Sequence, residues 1–250
     1  TKMNLEKMNK NLIFFIAKKE FKMMYKSSSF YAASLFFLAG AAIAFIGSDS
    51  WFNAGLSDLK NFFLNMPLLF CVVIPMLTMS SWSDEKKQFT DKFLFSLPVS
   101  IRYIVLGKYL SLILIWSIML VLSLVIPLSV FSLAYFDSGS FFVSYISIFL
   151  FGAGIISISL ALSAVSGKTE INFLLSFLTV LFFTIIYPLT KNLNLPVLPN
   201  KIIAYLSFSP HFESAARGLF DSRDFIFYLI LVALGIELNV FILTQQRNVR

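Results

Sequence analysis

Residues 138–167 read SGSFFVSYISIFLFGAGIISISLALSAVSG, 30 consecutive positions without Asp, Glu, Lys or Arg. At about 1.5 Å rise per residue, roughly 20 apolar residues in a helix cross a hydrocarbon core about 30 Å thick. Charge-free runs of 22, 23, 28 and 20 residues also occupy 27–48, 61–83, 109–136 and 171–190. A sixth apolar stretch, 225–243, is interrupted only by Glu237. The 250-residue chain is 58% hydrophobic and 13% charged, against about 25% charged residues in a soluble domain. These runs predict an all-α polytopic membrane protein with six transmembrane helices at 30–47, 62–82, 109–135, 141–165, 172–190 and 225–243.

Six crossings put both termini on one side, and the basic residues say which. With the amino terminus inside, 15 of the 20 Lys and Arg fall on the inner side. Only Lys60, Lys191, Lys201, Arg217 and Arg223 fall outside. By the positive-inside rule both termini are expected in the cytoplasm. The net charge of +7 therefore reads as membrane topology, and no nucleic-acid partner is expected. Leu12 to Ala17 runs straight into a Lys-rich segment without a small-residue cleavage site, so a cleaved secretory leader is not expected.

Other classes fall to counting. One cysteine, Cys71, within an apolar run, provides no disulfide framework, and a single histidine, His211, cannot build a His-Glu-x-x-His zinc site. No metal site and no catalytic residues are expected. The spans hold no Ser/His pair and no paired acidic motif, so an intramembrane enzyme has no basis. Ser166-Gly167-Lys168-Thr169 ends like a phosphate loop, but the Gly required five residues before Gly167 is Leu162. It reads as a turn between spans four and five.

Outside the spans, residues 10–26 read as an interfacial elbow helix. Lys18, Lys22 and Lys26 recur at i, i+4, i+8 with Lys19 beside them, and Phe14, Ala17, Phe21 and Met24 fall opposite. Such a helix lies at an acidic inner leaflet, although the same lysines also serve simply as a topology signal. Gly40 with its flanking alanines, and Gly152-Ala153-Gly154, allow helices to approach closely, most simply within the chain. Pro67, Pro75, Pro127 and Pro188 kink or cap their helices.

Residues 84–108 read DEKKQFTDKFLFSLPVSIRYIVLGK. Phe89, Phe93 and Leu97 recur at i, i+4, i+8, Asp84 and Glu85 suit a helix amino terminus, and Pro98 ends the pattern. A cytoplasmic amphipathic helix over 84–97 is predicted, fit to dock on a partner. Ser100 is then a side-chain cap for the next helix.

Glu85-Lys86-Lys87, Thr90, Leu97-Pro98-Val99-Ser100 and Val105-Leu106-Gly107-Lys108 together resemble the cytoplasmic loop of ABC-2 type permeases, whose usual form is close to EKxxGTxExLLxxPVSxxxIVLGK. His211-Phe212-Glu213, Arg217-Gly218, Asp221 and Arg223-Asp224 resemble the approach to the last span in the gliding-motility-associated branch. The resemblance covers essentially the whole chain, as a single transmembrane domain over 1–250. It implies that 84–97 is a coupling helix, with Glu85, Lys86, Phe89, Thr90, Lys92, Phe93, Leu97 and Pro98 meeting a cytoplasmic ATPase. Phe89 stands where the family usually has Gly, and Lys92 where it usually has an acid. The reversed charge implies an ATPase surface that differs accordingly, or a contact elsewhere.

Residues 196–221 contain Ile202, Ile203, Leu206, His211, Phe212, Glu213 and Arg217, with Ser209-Pro210 opening a helix. The resemblance makes these short helices an outer gate. Glu213 and Arg217 at i, i+4 suit a surface pair of about 0.3–0.5 kcal/mol. Glu237, about 12 Å from the cytoplasmic helix end, is an intramembrane carboxylate with Asn239 nearby. Either it has a role of its own or it is paired from a neighbouring span or the interfacial lysines.

The resemblance further implies a subunit of an ABC exporter in a bacterial inner membrane, with a pair of ATPase subunits. A second permease chain is implied, more readily a different one than a copy. ATP and Mg belong to the ATPase, and no cofactor is expected on this chain. The alternative is a non-transporting, ATPase-coupled scaffold or mechanotransmission subunit.

Overall fold

The computed structural model describes residues 2–46, 60–91, 99–130, 138–191, 196–216, 219 and 221–249. These residues form helices, with no strand among them. In chain order they are α1 (Lys2–Tyr25), α2 (Ser28–Ile46), α3 (Lys60–Leu64), α4 (Met66–Thr78), α5 (Ser80–Lys87), α6 (Ile101–Ser123), α7 (Val125–Val130), α8 (Ser138–Ser163), α9 (Thr169–Thr190), α10 (Val197–Leu206), α11 (Phe208–Ala216) and α12 (Ser222–Val249). Six helical segments among the described residues are long and apolar enough to cross a membrane: Ser28–Ile46, Met66–Lys87, Ile101–Ser129, Gly139–Ser163, Thr169–Thr190 and Ser222–Asn248. The chain is an all-α polytopic membrane protein.

α8 is the central helix, packed most extensively against α12 and also against α4, α6 and α9. Its small residues make this possible. The Trp116 indole lies directly against Gly152, where a Cβ would stand 2.5 Å from the ring. Around it an aromatic core continues through Phe70, 4.9 Å from Trp116, and Phe151, 5.8 Å from Phe70. Phe208 and Phe212 of α11 reach the same core, 5.6 and 5.4 Å from Phe151. α2, α9 and α12 instead expose most of their apolar surface, as hydrocarbon-facing helices do.

Several boundaries differ from the sequence expectation. The third span begins as helix at Ile101, not 109, because Lys108 finds two carboxylates inside the fold and Arg102 pairs with Glu237 on the outer face of the helices. It breaks at Leu124 because Pro127 has no N–H to give the Ser123 carbonyl, and 131–135 lie outside the described residues. The second span is α4 continued by α5 as far as Lys87, past the expected end at 82. Asp84 and Glu85 consequently lie near the end of α5, not at the start of a separate helix. α12 extends beyond the expected 225–243 at both ends.

Candidate coupling site

The site is built on Gly107 and Lys108. With no side chain at Gly107, α1 lies directly on α6, Ile16 and the Ile13 carbonyl filling the space where a Cβ would stand. This contact brings Glu20 over Lys108. Lys108 is 2% exposed, its Nζ 3.1 Å from Glu20 Oε2 and 2.8 Å from Glu85 Oε1, and it donates to the Ser81 carbonyl at 2.8 Å. The ammonium also lies over the Trp82 ring, 4.6 Å from its centroid. One buried cation thus joins α1, α5 and α6.

A second tie fixes the same end of α5. Lys86 Nζ and Gln246 Nε2 both donate to the Ala164 carbonyl, and Lys87 Nζ donates to Thr169 Oγ1 at 3.2 Å. The turn they grip is stapled by Asn172, whose Nδ2 donates to the Ser163 and Ser166 carbonyls, each at 2.8 Å, while Oδ1 accepts the Ser166 N–H. Ser166-Gly167-Lys168 therefore lies in the α8–α9 turn and Thr169 opens α9, with the Ser166 backbone groups held by Asn172.

Beyond these ties α5 ends at Lys87, and two residues on Phe89 has a φ of 56°, in the left-handed region. This is where the family pattern has Gly, the residue that adopts such a backbone freely, and Phe there costs about 1–2 kcal/mol. The side chain is 69% exposed. Thr90 is exposed beside it, its hydroxyl donating to the Glu85 carbonyl at 3.2 Å. Glu85 and Lys86 are thus turned into the fold, while Phe89 and Thr90 face outward. Lys92, Phe93, Leu97 and Pro98 lie outside the described residues, as does the second part of the helix expected over 84–97, from 92 on. Ser100 occupies the N-cap position of α6, but its carbonyl, not its hydroxyl, serves the helix by accepting from Tyr103 N–H.

On α1, Lys18, Lys19 and Lys22 are exposed, as is Lys26 just after it, and Ala17 is buried, as amphipathicity requires. Phe14, however, is 71% exposed, because the face directed at α6 runs through Ile13, Ala17, Glu20 and Met24. Glu20 was hidden to sequence reasoning by its lysine neighbours. Its signal was its register, three residues after Ala17 and four before Met24.

At the opposite end, α10 and α11 separate the expected gate residues. Ile202 and Leu206 are exposed and Ile203 half-buried on α10, whereas His211 and Phe212 are buried on α11. His211 Nε2–H donates to the Tyr205 carbonyl at 3.1 Å, and Nδ1 faces Asp224 Oδ1 at 2.8 Å. Its ring stacks on Phe227 with 3.9 Å between centroids. The Ser214 hydroxyl donates to Asp224 Oδ2, and Tyr228 OH donates to the His211 carbonyl at 3.0 Å. Asp224, at the start of α12, thereby fastens α11 to the last span. Glu213 is half-buried, and Arg217 lies outside the described residues.

Glu237 pairs with Arg102 on α6, so its partner is a neighbouring span. Asn239 points the other way. It is fully buried, and neither amide atom has a hydrogen-bond partner. The two residues, about 200° apart on the helix, do not form one site.

A comparison with curated proteins finds no match. The profile of the family described as ABC-2 family transporter protein matches residues 14–244, from the second half of α1 to the last turns of α12. The chain belongs to the ABC-2 transporter family and is a membrane permease subunit of an ABC transporter.

Proposed function

We propose that the chain is half of the translocation pathway of an ATP-driven exporter, and that force enters through the segment beginning at Asp84. Two cytoplasmic ATPase subunits bind ATP and Mg, and a second permease chain, a different one, completes the pathway. The observation that carries this reading is the double anchorage of α5. Glu85 is held by Lys108 and Glu20, and Lys86 by the Ala164 carbonyl shared with Gln246. A push on the chain just after Lys87 therefore reaches α1, α6, the α8–α9 turn and the end of α12 together. Interfaces and packed cores of this kind switch between discrete arrangements rather than deform smoothly.

Phe89 offers the exposed apolar surface, and Lys92 and Phe93 follow it in sequence. The gliding-motility-like residues His211, Phe212, Asp221 and Asp224 support the heteromeric assembly, and the basic amino-terminal segment supports an inner-membrane orientation with both termini cytoplasmic.

The test is to tag the chain after Arg250, extract it gently from its membrane and identify what co-elutes. A nucleotide-binding subunit should co-elute with the parent chain and be lost with Phe93→Asp. Failure to recover an ATPase even after crosslinking would remove the energy source. ATP-dependent substrate flux in proteoliposomes separates an exporter from an ATPase-coupled scaffold, which would hydrolyse ATP without flux.

A further inference from the structure

Between α1, the end of α5 and the start of α6 lies an open cavity of about 560 Å³. Its size falls within the 300–1,000 Å³ range of small-molecule sites. One wall is apolar, with Phe15 and Met24 of α1 facing Ile104 of α6. The floor is polar and incompletely satisfied. Ser81 Oγ, on a residue only 9% exposed, has no hydrogen-bond partner, and neither does Glu85 Oε2, one helical turn further on. Lys108 engages the Ser81 carbonyl and Glu85 Oε1, leaving those two atoms over. Buried polar atoms without partners are uncommon in folded proteins, and these two belong to residues that line the same cavity, where a donor from outside the chain can meet them.

Charge narrows the choice. Around Lys108 stand two carboxylates, Glu20 and Glu85, so the buried ion pairs set one cation against two acidic groups. A second cation bearing N–H donors would match the second acidic group and supply the missing hydrogen bonds. At the cavity edge, exposed Lys19 offers a cation to an anionic group. An ammonium deep in the cavity, a phosphate at Lys19 and hydrocarbon against Phe15 and Met24 describe a phospholipid with an ethanolamine head.

We infer that this cavity binds phosphatidylethanolamine from the adjoining leaflet, its ammonium on Glu85 and Ser81 and its phosphate at Lys19. The lipid then wedges α1 against the anchored end of α5. The inference rests on membrane placement and cavity chemistry, and stands or falls independently of ATPase docking.

The test uses the full chain in nanodiscs of equal parts phosphatidylethanolamine, phosphatidylcholine and phosphatidylglycerol with identical acyl chains, followed by native mass spectrometry of retained lipid. Phosphatidylcholine carries the charge without N–H donors, and phosphatidylglycerol carries no cation. Retention should favour phosphatidylethanolamine about tenfold over either, the scale of one charged hydrogen bond. Glu85→Gln should reduce this preference to about twofold or less, and Met23→Trp, placed on the cavity wall, should lower retention of all three lipids. Ser81→Ala leaves the carbonyl that holds Lys108 in place and should also reduce the preference, so the test survives if Glu85→Gln fails to fold. Equal retention of the three lipids, preference for phosphatidylglycerol, a preference unchanged in Ser81→Ala, or a cavity holding water alone would overturn the inference. So would binding of free ethanolamine without retained lipid.

Discussion

Gly107 lies against Ile16 so closely that a Cβ at position 107 would stand 2.6 Å from Ile16 Cγ2 and 2.8 Å from Ile16 Cβ. The obstructing atoms sit at the branched base of a side chain with little χ1 freedom, and cannot swing aside. Gly107→Ala should therefore separate α1 from α6 at a cost of about 1–3 kcal/mol. A cysteine placed at Ala17, buried in that contact, should become reactive to a water-soluble maleimide in the Gly107→Ala background. An unchanged melting temperature together with an unreactive Cys would show that the contact does not hold the helix.

Lys108 is the only basic side chain that contacts Glu20 and Glu85 among the described ion pairs. Lys108→Met leaves two carboxylates facing one another with no cation and should destabilise the chain by about 3–5 kcal/mol. Adding Glu20→Gln and Glu85→Gln to Lys108→Met should recover most of that loss, since removing a whole buried ionic group costs far less than removing one partner. Denaturation of the purified single and triple variants reads the difference. A triple variant no more stable than Lys108→Met would place the cost in lost packing against Trp82.

Asp224 binds both His211 and Ser214, so Asp224→Ala removes two acceptor contacts in a mostly buried place. A loss of about 2–3 kcal/mol is expected. Asp224→Asn keeps an acceptor for Ser214 and a polar neighbour for His211, and should lose less. Hydrogen exchange over 208–216 would report it, with faster exchange in the Ala variant than in the Asn variant. Identical exchange in parent and Asp224→Ala would mean that the Phe208 and Phe212 contacts alone hold α11.

The spans were legible because hydrocarbon penalises charge whatever the tertiary arrangement, and the charge-free runs therefore mark them directly. The helix start at Ile101 was not legible for the complementary reason. Arg102 and Lys108 look like a loop until Glu237, Glu20 and Glu85 are seen to meet them. Glu20 lies 88 residues from Lys108, a separation at which no local periodicity operates. The Gly-to-Phe departure at position 89 was visible in sequence, but its meaning, a left-handed backbone retained with a bulky side chain, needed the dihedral. Glu237 and Asn239 show the limit of proximity in sequence: two residues apart, they face opposite sides of one helix, one paired with Arg102 and the other buried.

If the chain just after α5 meets the ATPase, as proposed, Phe89 reports on that contact most directly. Replacing Phe89 with benzoylphenylalanine keeps an aromatic side chain there while adding a photoreactive group. Irradiation of native membranes should yield a covalent adduct between position 89 and a nucleotide-binding subunit, whereas the same probe at Phe14, equally exposed on α1, should yield lipid adducts. Phe89→Gly should relieve about 1 kcal/mol of backbone strain, raising the melting temperature, while weakening ATPase recovery. An adduct at 89 with lipid alone, or equal ATPase capture from Phe14, would contradict the assignment of this segment as the point where force enters.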